Sequence, residues 1–277
     1  MHLSGIFVYP VKSLRGCAVT TAEVDPLGLV GDRRFMVVTE DGRFLSQRTL
    51  PRMALISTAL SADQLTLSAS GVGAITVPRV SDPEAPNRLV SVWKSDGLQA
   101  DDCGADAAHW LSSFLGVQCR LVRAGTAFHR PVRKVTSSPP LDPAPIVGFA
   151  DAFPFLIVSE ASLADLNDRL AAKGESPLPM DRFRPNLVVA GCPAYAEGTW
   201  PRFQLGNVVF RGAGPCARCA ITTTDQLTAE RGSEPLRTLA TYRRAAADPS
   251  DVNFGQNLIA ESRTGELRIG DRLQPLD

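Results

Sequence analysis

The sequence has no excess of charge of either sign: Lys and Arg together number 29, as do Asp and Glu, in 277 residues. A neutral chain has no general attraction for nucleic acid or an anionic bilayer, so only a local basic pocket is left as an anion site. Long apolar runs are also missing, because charges, Gly or Pro interrupt each one before it reaches membrane-spanning length. The opening MHLSGIFVYPVKS holds an apolar stretch shorter than a signal-peptide core, with no basic segment ahead of it, and a cytoplasmic protein without a membrane anchor is expected. Histidine is scarce: His2, His109 and His129 are the full set, and no two have the spacing of a ligand pair. With a single C-x-x-C in the chain, that scarcity argues against a zinc knuckle or a four-cysteine iron–sulfur site. The other cysteines are scattered, unlike a disulfide framework and in keeping with a reducing compartment. No G-x-G-x-x-G fingerprint and no haem-attachment C-x-x-C-H occurs.

What is present is a chain 44% apolar and 21% charged, the composition of a folded globular protein large enough for one or two cores. The first third reads as short strands: HLSGIFVYP, RRFMVVTE, MALISTALS, QLTLSAS, AITVP and LVSVW, with Asp41-Gly42 as a hairpin signal. CGADAAHWLSSFL reads as a helix, with Ala107, Trp110, Leu111 and Phe114 at helical spacing and Gly116 as its stop. From about Arg130 to Pro145 five prolines suit neither regular element, and a long crossing loop between two halves is expected. The second half reads as the strand PFLIVS, a helix over SLADLNDRLAAKG, strands NLVVAG, FQLGNVVFRG and ELRIGDRL, and a short helix in EPLRTLATYRR. The fold class is α+β, dominated by strands.

Three groups of residues could carry chemistry. Cys216 and Cys219 stand in GPCARC ahead of AITTT, whose Thr run favours a strand rather than the helix of a dithiol redox motif. On the residues alone, one reactive thiolate near Arg218 and two buried cysteines serving as small apolar side chains are both open readings. Lys12-Ser13 after YPV, Arg34 in GDRRF, and Arg184 and Asn186 in RFRPN form a scattered polar and basic set suited to a phosphate and a heterocycle, or to ordinary surface charge. Asn253 to Asn257, NFGQN, suits a polar pocket or a turn.

Taken in order, YPVKS, GDRRFMVV, PFLIVSEASLADLN, FRPNLVVAG, CARC with TTTD, PLRTLATYRR and FGQNL resemble the MOSC family over almost the whole chain, in particular the amidoxime-reducing components of mitochondria and the bacterial reductases of N-hydroxylated bases. The resemblance implies an N-terminal MOSC β-barrel domain, placed at 1–123, and a MOSC β-barrel domain with peripheral helices at 124–277. It further implies a molybdenum–molybdopterin cofactor. Cys219 becomes the protein's thiolate ligand to molybdenum, and Lys12, Ser13, Arg34, Arg184 and Asn186 hold the phosphate and pterin. Soft thiolate ligation suits a thiophilic metal. Asp151, just before PFLI, is the candidate for a polar contact or proton handling. The implied reaction is reduction of N-hydroxylated compounds, such as hydroxylaminopurines and amidoximes, to amines. Its electrons are expected from a separate ferredoxin, flavodoxin or cytochrome b5-like protein with its reductase. A non-catalytic cofactor carrier or sulfur-transfer protein is the alternative. The resemblance departs at Ala152, Phe153 and Ala217, where the mitochondrial members carry Thr, Ser and Ser.

Overall fold

The structure is a computed structural model that describes residues 1–82, 84–133 and 140–276. In the first half run β1 (His2–Val8), β2 (Cys17–Val19), β3 (Thr21–Asp25), β4 (Gly28–Leu29), β5 (Phe35–Val38), β6 (Ser57–Leu60), β7 (Gln64–Ala69), β8 (Gly73–Pro78), β9 (Asn87–Val92), β10 (Ser95–Asp102), helix α1 (Ala105–Leu115) and β11 (Arg120–Arg123). The second half adds β12 (Phe155–Ser159), α2 (Glu160–Ala171), β13 (Leu187–Ala190), β14 (Arg202–Leu205), β15 (Val208–Ala217), the single turn α3 (Leu236–Leu239), β16 (Asn253–Ala260), β17 (Gly265–Arg268) and β18 (Leu273–Pro275). The architecture is α+β and strand-dominated, and no helix among the described residues is long and apolar enough to cross a membrane.

The main sheet has the order β18-β14-β15-β16-β12-β13-β1-β2. The chain around its last strand returns to the free edge of β1: the Gly270 and Leu273 N–H groups donate to the carbonyls of Leu3 and Met1, and the Leu3 N–H donates to that of Asp271. The sheet thereby closes on itself as a barrel, leaving no long unpaired edge on that side. Its interior is filled by Leu3, Ile6, Val8, Phe155, Ile157, Leu187, Val189, Phe203, Leu205, Phe210 and Leu258, all buried. Leu3 and Ile6 both face inward despite their odd separation because β1 bulges between Leu3 and Gly5. On β12 the alternation is strict: Phe155 and Ile157 fill the barrel, while Leu156 and Val158 join the outer layer of Leu166 and Leu170 from α2 and Leu239 from α3. The α2 crossover makes β12 and β13 parallel, and the Ser159 hydroxyl caps the helix by accepting from the Ser162 N–H at 3.0 Å.

The first half builds a sheet β5-β11-β10-β9 and a sheet β6-β7-β8 around α1. Here β5 divides two cores, with Phe35 and Val37 packing toward α1 residues Trp110 and Phe114, and Met36 and Val38 packing toward Phe128 and Phe149. Because β1 and β2 lie in the barrel sheet and β3 pairs with β17, the first thirty residues are hydrogen-bonded into the second half.

Several local expectations change. AITTT is not a strand: Ala220–Thr223 form a 3-10 turn, in which the Thr222 and Thr223 hydroxyls donate to the carbonyls of Cys219 and Ala220, a local bonding that competes with sheet pairing. NFGQN is no turn but the start of β16 in the barrel wall. MALISTALS divides into a 3-10 turn over Pro51–Leu55 and the strand β6. Asp41-Gly42 turns the chain, yet only one bridge, Val38 to Phe44, follows, because β5 takes β11 as its ladder partner. In the proline-rich stretch Pro131 bridges Ile146, and 134–139 lie outside the described residues.

Gly255 sits in β16 at φ +80, and a β-carbon there would come within 2.8 Å of the Ile157 carbonyl oxygen on the neighbouring strand. Gly255→Ala is expected to lower stability by roughly 1–3 kcal/mol from the backbone conformation, with the clash adding to it. A urea denaturation midpoint equal to that of the parent chain would contradict this.

Candidate functional site

After β1 the chain leaves the barrel and crosses to β5, with the Lys12 N–H donating to the Phe35 carbonyl and Ser13 in the left-handed region at φ 66. The crossing carries Lys12 into the interior, where it is 4% exposed. Its ammonium donates to the Phe149 carbonyl at 2.9 Å, lies 5.2 Å from the centre of the Phe44 ring and pairs with the Asp151 carboxylate. The other Asp151 oxygen accepts from Arg48 Nη2 at 3.0 Å, and the Trp93 indole N–H reaches Oδ1 at 3.2 Å. Arg130, buried among loops, donates to the backbone carbonyls of Gly148, Ala150 and Asp151 and so fixes the segment that carries the carboxylate.

These neighbours set the charge states. Partial burial alone would raise the Asp151 pKa, but Lys12 and Arg48 together outweigh it and hold the carboxyl well below the usual carboxylate range. Asp151 is therefore an acceptor and an orienting group at neutral pH, not a proton donor. Burial pulls Lys12 below its ordinary value, with Asp151 opposing. Burial disfavours the charge on Arg48 too, yet Asp151 and the Cys219 thiol raise its pKa overall, which ties this guanidinium electrostatically to both groups.

Cys219 follows the end of β15 and opens the 3-10 turn, half-buried. The cation assigned to the cysteine pair from the sequence serves the other thiol: Arg218 Nη1 donates to Cys216 Sγ at 2.9 Å and Nη2 to the Phe183 carbonyl. Arg48, fixed in place by a stack on Trp93 at 4.5 Å, is the cation beside Cys219, and its Nη1 is buried without a hydrogen-bond partner. Among the remaining cysteines, burial raises the thiol pKa of Cys17, Cys119 and Cys192 and pushes that of Cys103 up to about 12, as expected of inert apolar positions.

A second polar cluster adjoins the first through the backbone of Ser13 and Leu14. Arg184, 9% exposed, donates to the Leu14 carbonyl, and it and Arg33 each place a guanidinium 4.3 Å from the Tyr9 ring centre. Asn186 has both ends of its amide committed, accepting from Arg33 and the Leu156 N–H and donating to the Phe7 carbonyl. Burial, followed by the Arg33 charge, lowers the Arg184 pKa to about 10. Arg34 stands apart: its guanidinium binds Asp25 at 2.6 Å and the Leu29 carbonyl. Arg33, not Arg34, joins Arg184 and Asn186, because the chain turns at Arg33 (φ 45) and sends the two adjacent side chains in different directions. Ser13 contributes its carbonyl, which accepts from Gln47 Nε2 at 2.9 Å.

Sequence reading thus overlooks Arg33, Arg48, Trp93 and Arg130. Arg33 had a signal in the Arg pair of GDRRF, whereas the others lie in unrelated short segments and share no spacing. A cavity of about 660 Å³ lies elsewhere, lined by Tyr195, Glu197, Tyr242, Arg243 and, from NFGQN, Asn253, Gly255 and Gln256, so that motif does line a polar pocket, whereas none of the residues expected to hold cofactor or substrate lines it. Among the described residues, no three of His, Cys, Asp or Glu come together as a metal site.

Asp151→Asn leaves the Lys12 ammonium buried beside a neutral partner. The expected loss is about 1–2 kcal/mol at neutral pH, less than for a fully buried pair because the Asp151 side chain is 49% exposed. Since the folded pKa is depressed, this contribution is present above the unfolded value of about 4 and disappears as pH falls through the lower folded value. Urea titrations of both proteins from pH 7 to pH 2 are expected to differ constantly down to pH 4 and converge below it.

Comparison with known proteins supplies the lineage. The MOSC N-terminal beta barrel domain matches residues 1–118 and the MOSC domain matches residues 145–274. The chain is 38% identical to mitochondrial amidoxime-reducing component 1 of Mus musculus over 281 residues, spanning 96% of this chain and 79% of that protein. It is 35% identical to the corresponding protein of Homo sapiens, over 96% of this chain and 80% of that one. It is also 35% identical to the molybdenum cofactor sulfurase of Danio rerio, across 99% of this chain but 34% of that longer protein. A closed barrel with CARC at the end of β15, matched together with the strand-rich N-terminal half by both domain models and by full-length relatives, places the chain in the MOSC family, among the members with an N-terminal MOSC β-barrel domain.

Proposed function

We propose that this protein is a molybdenum-cofactor-dependent reductase that converts N-hydroxylated compounds to amines with electrons from a separate donor protein. The observation that carries the reading is the half-buried Cys219 thiol beside Arg48, whose unpartnered Nη1 adjoins the Lys12–Asp151 pair. A buried guanidinium nitrogen lacking an acceptor is costly unless a ligand completes it. A group that binds through sulfur and also carries negative charge meets both needs, and a pterin dithiolene with a phosphate is such a group. Relatives named amidoxime-reducing component support an oxidoreductase.

In this reading the Cys219 sulfur ligates molybdenum, and Lys12, Ser13, Arg184 and Asn186 belong to the shell around phosphate and pterin. Arg33 takes the place expected for Arg34. The cofactor would supply the two-electron chemistry when bound. The net reaction is R-NHOH plus two electrons and two protons to R-NH2 and water. Asp151, held ionised, accepts a hydrogen bond from the N–H or O–H of the substrate and orients it, while Arg48 and Lys12 keep that carboxylate in place. Since Asp151 is held as an acceptor, the protons consumed come from solvent or the incoming donor complex.

Elemental analysis of protein from a molybdopterin-producing host is expected to find about one molybdenum per chain, following the single thiolate site. Cys219→Ala loses the metal or the activity, and Cys216→Ala is milder. Equal metal and equal activity in Cys219→Ala would defeat the assignment. Retained cofactor that passes to an acceptor apoenzyme without substrate turnover, or a persulfide on Cys219, would make the protein a carrier or sulfur donor instead.

NADH or NADPH with purified protein alone is expected to give no sustained reduction of a hydroxylated base. Turnover begins when a reductase and a small electron carrier are added, since the sequence contains no dinucleotide fingerprint. Sustained turnover without them would require a nicotinamide site within this chain.

A further inference from the structure

Trp93 occupies a position that its own side chain makes unfavourable. Val92 and Ser95 pair across β9 and β10, leaving Trp93 and Lys94 as a two-residue turn. Trp93 has φ 55, in the left-handed region that such turns normally fill with Gly or Asn. A bulky residue there is a conformational outlier, held only if its surroundings or its use require it. Its use is not burial: Trp93 is 46% exposed, whereas Trp110 and Trp200 are 8% and 6% exposed.

Its surroundings instead lock the ring in one orientation. The indole N–H is bonded to Asp151, the Arg48 guanidinium lies 4.5 Å from the ring centre, and Phe44 meets it edge-on at 4.9 Å. The same carboxylate and guanidinium belong to the Cys219 site, so the exposed part of the indole stands at the rim of that site. A fixed, solvent-facing aromatic surface beside an ionised hydrogen-bond acceptor suits a ligand that is flat and carries an N–H or O–H donor.

We propose that Trp93 is the residue that selects planar, conjugated N-hydroxylated substrates, such as hydroxylaminopurines and aryl amidoximes, over alkyl ones, by stacking their ring while Asp151 engages the N-hydroxyl end. The inference rests on the reductase reading above. A purely structural role for Trp93, pinning Arg48, makes no distinction between flat and alkyl substrates.

The test uses cofactor-loaded protein, 6-hydroxylaminopurine as the flat probe and acetamidoxime as the alkyl one, with Trp93→Gly and Trp93→Phe. Without reductant, calorimetric affinity for 6-hydroxylaminopurine is expected to fall at least about tenfold in Trp93→Gly and to be largely retained in Trp93→Phe. With a reducing system, the KM for 6-hydroxylaminopurine is expected to rise at least about fivefold more than that for acetamidoxime in Trp93→Gly, while any effect of releasing Arg48 and Asp151 falls on both probes alike. The thermal midpoint of Trp93→Gly falls because the contacts to Arg48, Phe44 and Asp151 are lost, but by less than those contacts alone would give, since glycine is at ease at this φ. Unchanged purine affinity in Trp93→Gly, or equal losses for both probes, overturns the proposal while leaving the reductase reading intact. Trp93-dependent purine binding with no turnover of either probe overturns the reductase reading and leaves the stacking surface in place.

Discussion

A buried ammonium without a carboxylate is costly in this fold, and the Lys12–Asp151 pair is the constraint around which the two halves are arranged. Lys12 comes from the segment that leaves the barrel after β1, and Asp151 from the segment that enters it at β12. Bringing them together requires the first thirty residues to be woven into the second half and the loop at Asp151 to be held by Arg130. Arg48 then has its place determined, because the second carboxylate oxygen is the acceptor left for it. A single ionised carboxylate that neutralises one cation and positions another leaves the region net positive, the condition for holding an anionic group beside a thiol.

The surrounding cores make that arrangement rigid. Strands β5 and β12 are buried on both faces, so each divides its apolar side chains between two clusters. A residue at the end of such a strand has little freedom to shift, since moving it displaces packing on both sides. Phe35, whose carbonyl accepts from Lys12, starts β5; Asp151 lies a few residues before β12. The polar groups of the site are thus carried at the margins of packed strands, where loops can present them and cores can fix them.

Several departures from local preference gather in the same region, while Tyr195 and Gly255 take positive φ beside the separate cavity. Ser13, Arg33, Trp93 and Arg184 all have positive φ without being glycine. Gly255 supplies that conformation in β16, where a side chain would strike the neighbouring backbone. Conformations of this kind are kept where tertiary contacts over-determine them. Here the contacts are the Tyr9 ring between two guanidinium groups, the Leu14 carbonyl on Arg184 and the Asp151 carboxylate on Trp93.

The strand-rich α+β class was legible in the sequence because apolar alternation and turn residues are local signals, and α1 was legible with its stop at Gly116, which takes the left-handed φ its position needs. The CARC motif and the order of the family motifs were legible too, for they are contiguous in the chain. What sequence could not decide was which cation meets which thiol or carboxylate. Arg218, between the two cysteines, turns to Cys216, whereas Arg48 arrives from 171 positions away to stand by Cys219. Arg33 and Arg34 are neighbours in sequence and part company at a positive φ. AITTT has the composition of a strand and becomes a 3-10 turn once its threonines bond to their own backbone. Local composition specifies elements through short-range sterics and burial period, but partners across an interior are chosen by which segments the barrel closure brings within hydrogen-bonding distance, and that choice is made only in the folded chain.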